Sequence, residues 1–176
     1  MKIGLCGTMS VGKTTLVNAL KDLPEFKGYI TRTERSKELM AMGIPLNTDS
    51  TLLGQTVFLA ERASELMQEN IITDRTVIDV MAFAWGSESM YYFEADDFCQ
   101  FASYMLKEYD YIFYVSPEGV KIEDNGIRET NAEYRKLIDE SIQLLINKHK
   151  HRIKNYGVLE GSTEERIKQM LETISL

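Results

Sequence analysis

Only two cysteines, two histidines and one tryptophan occur among the 176 residues. Cys6 and Cys99 have no spaced partners, which excludes a zinc-ligand set and a disulfide framework and predicts reduced thiols in a cytoplasmic setting. Prolines number three, and no Pro/Gly/Ser-rich stretch marks a linker, so one domain over residues 1–176 is expected. No apolar run is long enough to cross a membrane, and Met1 runs straight into a strand-like segment, so neither a leader nor a membrane partner is expected. Positive charge is in deficit, with 20 Lys and Arg against 27 Asp and Glu. That balance disfavours duplex nucleic acid as the main partner without ruling out a local basic groove.

What is present is an alternation of apolar runs and amphipathic stretches, the pattern of an α/β domain with a parallel sheet. Strands are expected at Lys2 to Cys6, Gly28 to Thr31, Ile71 to Asp74, Tyr111 to Val115 and Tyr156 to Glu160. Between them, helices are expected at about Glu34 to Met42, from a cap at Asp49 or Ser50 to Asn70, at Thr76 to Trp85, and at Asp96 to Lys107. Thr130 with Glu133, and Ser162 with Glu165, read as capping boxes for two further helices. Crossover connections in such a sheet are right-handed, so all the strands' carboxyl ends share one edge, where ligands of open α/β sheets bind.

At that edge lies Gly7-Thr8-Met9-Ser10-Val11-Gly12-Lys13-Thr14, a complete G-x-x-x-x-G-K-T between a strand and a helix. Glycines let consecutive backbone N–H groups converge on one centre, and the helix that follows adds the positive end of its dipole. The stretch therefore predicts a nucleoside triphosphate site built from Gly7, Ser10, Val11, Gly12, Lys13, Thr14 and Thr15. In it, Lys13 bridges the terminal phosphates and the Thr14 hydroxyl ligates Mg²⁺. A GTPase switch would also need D-x-x-G after a strand and N-K-x-D; Asn147-Lys148-His149-Lys150 lacks the aspartate.

Asp74-Arg75-Thr76 ends the third strand, and from here the chain resembles the P-loop nucleoside and nucleotide kinases: thymidylate kinase, the deoxynucleoside kinases and the nicotinamide-riboside-kinase type of domain. The resemblance implies a three-layer P-loop fold with a five-stranded parallel sheet in the order 2-3-1-4-5 and a short lid at about 118–131. It also implies that Asp74 is the general base or Mg²⁺ partner and that Arg75 grips the acceptor or the phosphates. Thr33-Glu34-Arg35-Ser36 resembles the element of thymidylate kinases whose arginine holds an acceptor phosphate, and Gln55 with Arg62 resembles the pair on the base-reading helix of deoxynucleoside kinases. Glu123 to Arg128 resembles the lid turn, which would make Arg128 an internal arginine finger. Gly161 and Ser162 fall where such kinases pack a loop beside adenine.

The expected protein is thus an ATP- and Mg²⁺-dependent phosphotransferase acting on a nucleoside or its monophosphate, a deoxypyrimidine type favoured. A kinase of a modified base within DNA and a non-catalytic nucleotide-binding module stay as alternatives, and a homodimer stays open. Lys148, Lys150, Arg152 and Lys154, the one basic cluster, are expected to complement the carboxyl end of their helix. The aromatic group Trp85, Tyr91, Tyr92 and Phe93 is expected to pack on the core, and Gln55 is as readily a solvent-facing residue as a base reader.

Overall fold

The computed structural model describes residues 1–118 and 132–175. Five strands form one parallel sheet: β1 (Lys2–Cys6), β2 (Ile30–Arg32), β3 (Ile71–Asp74), β4 (Tyr111–Val115) and β5 (Tyr156–Leu159), in the order β2-β3-β1-β4-β5. The three central strands are apolar on both faces because helices cover both, as a parallel sheet requires. In register, Leu5 lies beside Asp74 on one side and Phe113 on the other, so the ends of β1 and β3 come out together.

On one face, helices α1 (Lys13–Lys21) and α7 (Thr163–Ile174) close a core of Leu16, Val17, Leu20, Met170 and Ile174 over Ile3, Leu5, Ile72 and Phe113. The opposite face carries α3 (Leu52–Glu65), α4 (Val77–Trp85), α5 (Tyr92–Ser103) and α6 (Ala132–Lys148), with α2 (Ser36–Ala41) as a short element after β2. There α4 is apolar and almost wholly buried, packed against α3, α5 and α6.

Helix starts follow the chemistry of the side chains that precede them. Thr76 and Asp79 close a capping box on α4, and Ser162 and Glu165 close the expected one on α7. The cap of α3 is Thr51, whose hydroxyl accepts from Gly54 N, rather than Asp49 or Ser50. Thr130, the expected cap of α6, lies outside the described residues.

Hydrophobic periodicity over α3 predicts an inward face of Leu52, Leu53, Val57, Leu59, Ala60, Ala63, Leu66 and Met67, and the structure corrects it. Leu53 and Met67 are exposed, and the buried stripe carries Gly54, Gln55, Leu59, Arg62 and Glu65. Hydrophobic periodicity misled here because the helix turns a polar stripe toward an internal cleft. A second correction concerns Tyr91, Tyr92 and Phe93, which are exposed; only Trp85 of that group packs against the core. Three of the four residues of the basic cluster are engaged by neighbours. Lys148 pairs with Asp96 and lies over the Trp85 ring, Arg152 stacks on Tyr104, and Lys154 pairs with Asp110.

Candidate active site

The turn from β1 into α1 carries the glycine loop. Gly7 and Gly12 both have positive φ, and a Cβ on Gly7 would come 2.7 Å from the Val115 carbonyl oxygen, so glycine is required for conformation and for space. Gly7 N donates to Asp79 Oδ1 at 3.1 Å, and the Thr8 hydroxyl donates to the Arg135 carbonyl at 3.0 Å. The loop is therefore held from α4 on one flank and α6 on the other. Lys13 is buried, its ammonium donating to the carbonyls of Gly7 at 2.6 Å and Thr8 at 2.7 Å. Burial, with the Arg75 charge nearby, lowers the Lys13 pKa.

The end of β3 faces this loop. Asp74 is buried, and the Thr14 hydroxyl donates to its Oδ2 while Oδ1 has no hydrogen-bond partner. Burial raises the Asp74 pKa although Lys13 and Arg75 pull it down. A hydroxyl on one oxygen of a buried carboxylate whose other oxygen is orphaned suits Mg²⁺, which takes few protein oxygens and completes its shell with water and substrate phosphates. No group of three or more His, Cys, Asp or Glu that could hold a metal occurs among the described residues, so an all-protein cage is not on offer.

Arg75 follows in a left-handed conformation, with φ 86°. This is costly for a side chain other than glycine and is tolerated where the surroundings fix it. Here they do: the guanidinium lies 3.2 Å from Glu34, 3.8 Å from Asp79 and 4.8 Å over the Phe83 ring. Burial opposes its charge, but Glu34, Asp79 and Asp74 outweigh it and raise the pKa. Glu34 is the reciprocal partner. Burial works against its charge too, yet Arg75, the Ser36 hydroxyl and Lys13 hold its pKa at about 2.

Two clefts meet at these residues. One is lined by the glycine loop from Met9 to Thr15 with Asp74. The other is walled by Gln55, Phe58 and Arg62 of α3, Val80 and Phe83 of α4, and Ser36, Leu46 and Asn47. Its lining is the mixture of apolar walls and few polar groups usual for a small-molecule site. Met9, Glu34 and Arg75 line both and form the junction.

Gln55 is 3 % exposed, so it points inward to the second cleft rather than to solvent. Arg62 is 1 % exposed and donates through Nε and Nη2 to the two oxygens of Glu65, at 2.7 and 2.8 Å. Burial opposes both charges; Glu65 still raises the Arg62 pKa, whereas burial wins at Glu65 and raises its pKa.

Three expected site residues stand elsewhere. The Arg35 side chain is 53 % exposed, donates to Glu38 at 2.6 Å and Glu61 at 3.1 Å, and lines neither cleft. Gly161 and Ser162 are exposed at the start of α7 and line neither cleft. Arg128, the expected finger, lies outside the described residues, as does most of the expected lid.

Sequence reasoning passed over Asp79 and Arg166. The signal for Asp79 was its place three residues after Thr76, the spacing of a capping box. From there it holds Gly7, Thr76 and Arg75 at once. Arg166 is buried in the first turn of α7 and donates to Val11 O and Ser116 O.

Comparison with known families decides the lineage. The AAA domain model matches residues 2–166. The chain belongs to the AAA domain family. No curated protein matches this AAA domain in sequence. Its fold is shared with the deoxyadenosine kinase from M. mycoides. The structure of that enzyme with products dCMP and a flexible dCDP superposes with TM-score 0.68 at 17 % identity, covering 99 % of this chain and 98 % of that one. The dATP-bound form superposes with TM-score 0.66 at 16 % identity over 100 % of both chains, and the dCTP-bound form with 0.65 at 15 %. The five-stranded parallel order β2-β3-β1-β4-β5 with helices on both sides is that P-loop kinase fold.

Proposed function

We propose that the protein is an ATP- and Mg²⁺-dependent kinase whose acceptor is an uncharged nucleoside, a deoxynucleoside by preference. The observation that carries the choice of acceptor is the charge balance of the second cleft. Both of its cations are paired within the protein, Arg62 with both oxygens of Glu65 and Arg75 with Glu34, which leaves Arg75 Nη1, 3.8 Å from Asp79, as the donor without a hydrogen bond. Arg35, the residue that would hold an acceptor phosphate, is turned to the surface and paired there. A dianionic monophosphate would meet Glu34 with a single unpartnered donor, Arg75 Nη1, to receive it, whereas a nucleoside needs only hydrogen bonds and apolar walls. The deoxyadenosine kinase likeness, with dCMP, dCTP and dATP as its bound nucleotides, supports the same acceptor class.

In this reading the base lies between Phe58 and Phe83, with Gln55 offering one donor and one acceptor to its edge. The sugar hydroxyl reaches the junction, where Glu34 accepts its hydrogen bond. Phosphoryl transfer through a loose transition state asks the protein for alignment and charge more than for a strong base, so a carboxylate held ionised suffices. Lys13, released from the loop carbonyls onto phosphate oxygens, and Arg75 supply positive charge to the transferred group. Thr14 and Asp74 would hold Mg²⁺, which neutralises charge developing between the outer phosphates. This shifts the orienting role expected of Asp74 to Glu34, since Asp74 lines only the phosphate cleft and Glu34 lines both.

A panel of labelled-ATP transfer assays tests the proposal, with thymidine, deoxycytidine, deoxyadenosine, nicotinamide riboside, the matching monophosphates and hydroxymethyl-uracil DNA as acceptors. Turnover of at least one nucleoside above its monophosphate is the expected result. Exclusive turnover of monophosphates or of DNA, or none at all, would overturn it. The DNA acceptor is disfavoured because Lys148, Arg152 and Lys154 are engaged by the protein's own acids and aromatics.

A further inference from the structure

Arg166 breaks two rules of placement at once. It is 4 % exposed with no carboxylate partner among the described residues, and its Nε has no hydrogen-bond partner. It also sits in the first turn of α7, whose dipole end repels a cation. Each placement opposes folding unless something nearby uses the charge.

Its two hydrogen bonds say what that is. Nη1 donates to the Val11 carbonyl at 2.6 Å and Nη2 to the Ser116 carbonyl at 3.2 Å. Val11 and Gly12 lie at the tip of the glycine loop, and both line the phosphate cleft, whereas Arg166 does not. Gly12 rests on the guanidinium so closely that a Cβ there would come 3.2 Å from Nη1. No cis peptide occurs among the described residues, so the Gly12 N–H points opposite to the Val11 carbonyl that Arg166 holds. A cation on the carbonyl polarises the peptide and strengthens the donor at its other end.

We propose that Arg166 is a positioning residue for the donor triphosphate: from behind the glycine loop it fixes and polarises the Val11–Gly12 peptide so that the Gly12 N–H is aimed at, and strengthened toward, an anion. This rests on the triphosphate-site reading of the loop. The structural cost of the buried cation is offset when phosphates bind on the far side of the peptide, a few ångströms away in a medium that screens poorly. The second bond, to Ser116 at the end of β4, ties the same side chain to the strand that leads into residues 119–131.

The test is calorimetric binding of ATP, of inorganic tripolyphosphate and of adenosine to the full chain, with Arg166→Met, Arg166→Gln and Arg166→Lys, each checked for a cooperative melt. The expected result is an affinity loss of about tenfold for ATP and tripolyphosphate alike in the Met and Gln variants, the size of one charge-assisted hydrogen bond. Adenosine affinity is unchanged, and Lys recovers most of the loss. Triphosphate affinity within twofold of wild type in Met or Gln overturns the proposal. So does an equal loss in all three variants together with a lowered melt, which is what a packing role would give. Wild-type protein that binds neither ATP nor tripolyphosphate would refute the triphosphate reading and this proposal together, and is distinguishable from a failure confined to the variants.

Discussion

Asp74→Asn should raise stability and remove activity, two effects of opposite sign from one atom exchange. In the ligand-free fold the Asp74 carboxylate is buried, one oxygen is unpartnered, and burial raises its pKa despite Lys13 and Arg75. A group whose folded pKa is raised favours its neutral form in the fold, and an amide is neutral at every pH. An unsatisfied buried acceptor costs about 1–3 kcal/mol, and the new unpartnered N–H of Asn gives part of that back. The net gain is about 1 kcal/mol, or roughly 2–4 °C in Tm for a chain of this size. The raised pKa also carries a pH signature. The raised folded pKa means that Asp74 is least harmful below its unfolded value and most harmful above its folded one, so the advantage of Asn grows as pH rises through that window and vanishes in acid. Saturating Mg-ATP should reverse the order: at a hundred times Kd it adds about 2.7 kcal/mol to wild type, and the Mg²⁺-dependent part of that is missing in the variant. Turnover should fall by about 10²-fold or more. Melts with and without Mg-ATP across pH 4–8, alongside a transfer assay, would decide it. A variant less stable than wild type without ligand, or one with full turnover, refutes the assignment of Asp74 to the metal.

Glu34→Gln should act oppositely on stability. Its pKa, held at about 2 by Arg75 and the Ser36 hydroxyl against burial, contributes stability present above the unfolded value of 4.5 and lost as pH falls toward 2. Acid titration of the melt should show the variant less stable at pH 7 by on the order of 2–3 kcal/mol, with the difference closing in acid; a parallel pH profile would refute the pairing. Arg62→Met leaves Glu65 buried and alone, which costs about 3–5 kcal/mol by denaturant titration, and Arg62→Met with Glu65→Leu should recover most of it. If the double variant is as unstable as the single, the pair is not the cause. Arg35→Ala removes the pairs of an exposed guanidinium, so the melt should stay close to wild type and KM for a nucleoside should change by less than twofold; a large rise in KM would restore the acceptor-phosphate role to Arg35. Gln55→Ala should raise the acceptor KM and leave the ATP KM unchanged, and an equal rise in both would place it outside the acceptor cleft.

The five strands, the glycine loop and the Ser162–Glu165 cap were legible because each rests on contacts within a few residues: apolar runs, a turn only glycine can make, a hydroxyl three residues from a glutamate. Thr14, Asp74, Arg75 and Lys13 could be named for the same reason, since a strand end or a loop puts each at the sheet edge whatever the rest of the chain does. Which residues face which cleft was not local. The stripe of α3 that turns inward carries Gln55, Arg62 and Glu65 because α4 and the loop at Leu46 leave a cavity there, and no periodicity reports a cavity.

What the sequence determined by itself is the glycine loop, since its backbone geometry is fixed by Gly7 and Gly12 over eight consecutive residues. Only tertiary structure decided the second cleft, where Glu34 from the connection after β2, Arg75 from the turn after β3 and Arg62 of α3 line one cavity. Packing sends Arg35 outward while its neighbour Glu34 goes in, and it brings Arg166 across 155 positions to the back of the loop. Charge compensation between side chains distant in sequence is settled by distance and burial, and neither exists until the chain has folded.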